Sequence, residues 1–111
     1  MNFQQAVQTC LRKYVDFSGR ASRPEFWWFA LAQFVVLVVA ALLGRFVYTL
    51  VALGLVLPSL AAGARRLHDT GKSGWLLLIN LIPIIGILVL LYFWVQPGDV
   101  GANAHGEPPA V

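Results

Sequence analysis

The chain has 111 residues, of which 59% are hydrophobic and only 12% charged, with a formal net charge of +3. An ordinary soluble domain carries roughly 25% charged residues, and half that supply cannot cover the surface of so small a globule. The composition excludes most soluble folds, and the single cysteine, Cys10, excludes an internal disulfide framework or a cysteine-based zinc cluster. With two histidines and five carboxylates scattered along the chain, neither a metal site nor a cofactor is expected.

At the start of the chain, Phe3, Val7, Cys10, Leu11 and Tyr14 recur at helical spacing while Gln4, Gln5, Gln8, Arg12 and Lys13 fill the other face. This predicts an amphipathic helix over 3–16, lying in the membrane interface. Gly19 breaks it. Ser22-Arg23-Pro24-Glu25 then has the form of a capping box, with Ser22 as N-cap and the Glu25 side chain reaching back to it. A cleavable signal peptide is not expected, because the apolar run that follows is too long and starts too late.

Three runs free of charge follow, at 26–43, 46–64 and 75–95. About 20 apolar residues cross the ~30 Å hydrocarbon core, so each run is long enough for a transmembrane helix. As one helix the first two would reach roughly 58 Å, so Gly44-Arg45 is read as a tight turn between antiparallel spans. The expected fold is an all-α membrane protein of one domain, an interfacial amphipathic helix followed by three transmembrane helices. Phe26, Trp27 and Trp28 fall where an aromatic belt belongs. Gln33 and Asn80 are candidates for hydrogen bonds between helices, and Pro58 and Pro83 for kinks. The tail, 96–111, is rich in glycine and proline and is expected to be irregular.

Lys and Arg counts set the orientation. Arg12, Lys13, Arg20 and Arg23 precede the first span, Arg45 stands in the first turn, and Arg65, Arg66 and Lys72 lie between the second and third runs. With three crossings this predicts a cytoplasmic N-terminus and an external C-terminus. The same sorting accounts for the positive charge, and no nucleic-acid partner is expected.

The densest polar chemistry is the string RRLHDTGKSGW, Arg65 to Trp75. Gly71-Lys72-Ser73 imitates the end of a phosphate-binding loop, but Arg66 stands where the first glycine is needed. His68 and Asp69 are adjacent, with no nucleophile specified beside them. The candidate lipid- or partner-binding residues are Arg20, Arg23, Arg65, Arg66, His68, Asp69 and Lys72. The five cations are read as one basic cytoplasmic collar, with Glu25 and Asp69 holding some of the arginines in place. The expected function is a non-enzymatic module that binds membrane lipids, anionic ones in particular, another membrane protein or further copies of itself. The alternative is a subunit of a small-molecule permease or pore, with Gln33, Asn80 and the proline kinks along its path. A weaker one is a lipid-modifying enzyme using His68 and Asp69.

Two blocks, SGRASRPEFWWF (Ser18 to Phe29) and PSLAAGARRLHDTGKSGWLLLINLIPIIG (Pro58 to Gly86), followed by PGDVGANAHGEPP (Pro97 to Pro109), resemble the YhaH-like family of small bacterial inner-membrane proteins. The similarity runs over most of the chain from Tyr14. It implies a bacterial inner-membrane, multi-span helical protein and carries no reaction, cofactor or ligand. The chain departs from the family in its short Gly44-Arg45 link, and in Ala104 and His105, where the family often has a basic and an aromatic residue.

Overall fold

The computed structural model describes residues 1–109, which form helices, turns and irregular segments. Helix α1 is Phe3–Arg12, α2 is Arg23–Leu43, α3 is Arg45–Asp69, a 3-10 segment covers Gly74–Leu81, and α4 is Ile85–Val95. The tail is irregular as far as Pro109, and the last two residues of the expected 96–111 tail lie outside the described residues.

Helix α1 starts with a closed capping box, in which Asn2 Oδ1 accepts from the Gln5 amide at 2.8 Å and Gln5 Oε1 from the Asn2 amide at 3.0 Å. It is shorter than the expected 3–16, ending at Arg12. Ala6 and Cys10 are buried, and Cys10 packs with Phe26, Phe29 and Ala62. Part of the apolar stripe is therefore satisfied by protein, while Phe3 and Leu11 stay exposed.

Helix α2 opens on Ser22, whose hydroxyl accepts from the Glu25 amide at 3.3 Å, with Pro24 in the first turn where its missing N–H costs nothing. The other half of the expected capping box does not form. Glu25 turns its carboxylate away from the Ser22 amide and onto Arg65. Only Gly44, at φ +132°, separates α2 from α3. Glu25 meets Arg65 and Gln33 meets Ser59, so advance along α2 is retreat along α3, and the two helices form an antiparallel hairpin. At 1.5 Å per residue they are roughly 31 and 37 Å long, enough to cross a bilayer. Buried Ala61, Ala62, Gly63 and Ala64 let neighbours approach α3 closely.

The third apolar run is not one helix. It divides at Ile82–Pro83–Ile84, as Pro83 holds Ile82 extended and Ile84 takes φ +67° and ψ −63°. The Ile85 amide donates to the Pro83 carbonyl at 2.7 Å, closing a γ-turn. Each leg is roughly 16 Å long, eight residues at about 2.0 Å and eleven at 1.5 Å, or half the hydrocarbon thickness. The legs double back: a Cβ on Gly63 would meet Leu77 at 3.2 Å from the first leg and Trp94 at 3.3 Å from the second. At the fold, the missing Cβ of Gly86 is indispensable, since it would lie 2.0 Å from the Ile79 carbonyl oxygen. The run leaves at the end of the bundle where it entered, so the tail shares that end with the segment before α2. The expected continuous helix over 75–95 is therefore two short helical legs joined by a turn.

Candidate functional site

The charged end of the bundle is assembled from four places in the chain: the start of α2, the end of α3, the end of α4 and the tail. Arg20, Glu25, Arg65, Arg66 and Asp69 are all buried there. Asp69 is the hub. Its Oδ1 accepts from Arg20 Nε at 2.9 Å, its Oδ2 from Arg66 at 2.8 Å, and its backbone carbonyl from the Asp99 amide at 2.7 Å. Gly98 is required beside it, because a Cβ there would stand 2.0 Å from Asp69 Oδ2.

The guanidinium of Arg20 spreads over the tail, donating to the carbonyls of Asp99 and Gly101, both at 2.7 Å, and of Gly106 at 3.2 Å. Arg66 donates to Trp94 at 3.0 Å and to Gln96, supplying partners for carbonyls that the end of α4 leaves without an intrahelical donor. Arg65 pairs with Glu25, while its Nε and second terminal nitrogen are buried without a hydrogen-bond partner. Cys10 Sγ lies 3.8 Å from the same Glu25 oxygen. The group carries three cations against two carboxylates, and the burial of its members keeps it from water. Removal of any one member is strongly destabilising, because it strands its partner's charge in a low dielectric.

His68 uses Nδ1 on the Gly19 carbonyl at 2.9 Å, and its ring stacks on His105 with centroids 3.9 Å apart and planes 3° from parallel. Asn103 donates to the His68 carbonyl and to Asp99, each at 3.0 Å. His68 and Asp69 thus face different partners and make no hydrogen bond to each other. Ser73 caps the 3-10 segment by accepting from the Trp75 amide at 3.2 Å.

The exposed collar anticipated from the sequence is corrected by this burial. Arg20, Arg65 and Arg66 are turned inward, the last two at 0% exposure. Arg23 is exposed, and Lys72 is half-buried with its ammonium 5.0 Å from the centre of the Phe93 ring. In the spans, Gln33 accepts from Ser59 across the α2–α3 interface, whereas Asn80 is exposed. What the sequence reading missed is the tail as a part of the site. The run of Asp99, Gly101, Asn103 and Gly106 among few apolar residues was its only signal.

Residues 14–107 match the family described as "Protein of unknown function (DUF805)". The chain belongs to this family. It is 42% identical over 106 residues to inner membrane protein YhaI of Escherichia coli (strain K12), covering 89% of this chain and 90% of the relative. It is also 37% identical over 110 residues to inner membrane protein YhaH of the same strain, covering 89% and 91%. No solved structure matches. The matched region holds α2, α3, the folded-back run and all of the buried charges. Named inner membrane proteins among its relatives, and two helices long and apolar enough to cross, make this an integral membrane protein.

Proposed function

We propose that this chain is a non-enzymatic inner-membrane interaction module that crosses the bilayer twice, through α2 and α3, and dips a half-depth helical hairpin into the leaflet from the cytoplasmic side. Seven of the eight basic residues lie at the tail-bearing end and only Arg45 at the other, which supports a cytoplasmic position for both termini. One observation carries the functional reading: with Arg20, Arg65 and Arg66 locked inside, Arg12, Lys13, Arg23 and Lys72 remain at this end without an ion-pair partner among the described residues. These four meet anionic head groups, while the buried charges are the frame that holds their surface in shape.

Near-surface cations are worth about 1 kcal/mol each against an anionic leaflet, or roughly fivefold in affinity. In nanodiscs of mixed phosphatidylglycerol and phosphatidylcholine, Arg23→Gln with Lys72→Gln is expected to lower retention of the anionic lipid by more than tenfold, read by native mass spectrometry. Unchanged retention overturns the reading. A C-terminal reporter active only in the cytoplasm is expected to be active, and silence there overturns the two-crossing path.

A further inference from the structure

A cavity of about 630 Å³ opens between α3, the 3-10 segment and the stretch before α2. That volume lies within the roughly 300–1,000 Å³ of small-molecule sites. Its walls are apolar, from Phe17, Leu60, Leu77 and Leu78, and its polar end holds Ser73 and His68, with the His105 ring stacked on His68. No Lys, Arg, Asp or Glu lines it.

The chemistry of the polar end follows from hydrogen-bond bookkeeping. The Gly19 carbonyl, 2.9 Å from His68 Nδ1, can only accept, so the proton of the neutral ring sits on Nδ1. His68 Nε2 is then a lone-pair acceptor. Gly74 keeps space beside it, since a Cβ there would stand 3.2 Å from that nitrogen. Ser73 Oγ already accepts from the Trp75 amide, which leaves its own hydrogen to donate. The acceptor on His68 and the donor on Ser73, with no lysine, arginine or carboxylate among the lining side chains, complement a hydroxyl group. An ionised head would lie here without a counter-ion, which is strongly unfavourable.

We propose that this cavity binds an uncharged single-chain amphiphile with a hydroxyl head, such as a long-chain alcohol or a monoacylglycerol. The hydroxyl donates to His68 Nε2 and accepts from Ser73, and the chain runs along Phe17, Leu60, Leu77 and Leu78. Leu78 is 56% exposed at the mouth, so the guest enters sideways from the bilayer without passing through water. This site shares no residue with the four surface cations of the head-group reading and stands or falls apart from it.

The test uses the full chain in detergent micelles and a long-chain alcohol bearing a diazirine in its chain, beside a carboxylate and a trimethylammonium of the same length. The alcohol is expected to label residues 60–78 saturably, to be displaced by unlabelled alcohol, and to exceed both charged probes by about tenfold. Leu78→Trp fills the mouth and is expected to cut labelling about tenfold, while protease resistance of the tail is kept. Leu53→Trp, on an exposed face of α3, is expected to leave labelling unchanged. Labelling that does not saturate, or that Leu78→Trp leaves untouched, overturns the site. Should Leu78→Trp lose the protease resistance, the unsubstituted protein decides: equal labelling by all three probes overturns the proposal, and selective labelling supports it.

Discussion

The hydroxyl of Tyr14 donates to the carbonyl of Gly54, the one carbonyl in α3 that Pro58 leaves without its helical N–H. A freed carbonyl in an apolar surrounding needs a donor, and the segment after α1 supplies it. Tyr14→Phe is expected to destabilise the protein by about 0.5–1.5 kcal/mol. In a Pro58→Ala background the helix bond returns and the same substitution should have little effect. Thermal unfolding of the four proteins in detergent checks this, and additive effects would separate Tyr14 from Pro58.

Arg65 and Glu25 form a pair buried on both sides. Arg65→Met or Glu25→Gln alone is expected to destabilise by about 3–5 kcal/mol, since each strands a charge. The double variant should recover much of that loss. Denaturant titration is the measurement, and a double variant as weak as the sum of the singles would mean the residues act independently.

Arg20 holds three tail carbonyls with one planar fork. A lysine keeps the charge but offers a single point of donation. Arg20→Lys is therefore expected to free the segment after Pro97, speeding proteolysis there by about tenfold while α2 and α3 stay protected. Uniform loss of protection along the chain would indicate general unfolding instead.

Ile84 occupies a positive-φ conformation that a β-branched side chain adopts only under strain, of the order of 1–3 kcal/mol. Glycine removes the strain at an entropic cost of about 0.5–1 kcal/mol in the unfolded chain. Ile84→Gly is expected to raise stability by about 1 kcal/mol on balance, visible as a higher midpoint in thermal unfolding. A lower midpoint would mean the exposed isoleucine contributes more at the hairpin tip than the turn withholds.

Burial, and then the neighbouring Glu25 carboxylate, push the Cys10 thiol up to about 11. Raising this value disfavours the thiolate, so at pH 8 only about one thiol in a thousand is ionised. Maleimide is expected to react slowly with the native protein and promptly after denaturation, and prompt labelling of the native state would show that α1 lifts from α2.

Much of this molecule can be read along the chain. The shortage of charge demands a membrane solvent, Gly44-Arg45 breaks two long apolar runs apart, and Ser22 before Pro24 starts the first of them. Each is a local or compositional property, carried by residues that need no distant neighbour. The string around Arg65 to Ser73 is likewise conspicuous as polar chemistry in an apolar chain. Its purpose is not, because an arginine written beside a span can point to lipid, to water or into the protein, and residues far away decide which. Arg20 is claimed by Gly101 and Gly106, and Arg65 by Glu25, across separations in sequence that no periodicity reports. The third apolar run shows the same division. Hydropathy is satisfied equally by crossing a bilayer and by entering and leaving on one side, so composition alone leaves the path open. That the run folds back on itself within the protein was decided by Pro83 and Ile84 turning the backbone, by Gly63 and Gly86 admitting close contact, and by Arg66 holding the carbonyls of Trp94 and Gln96.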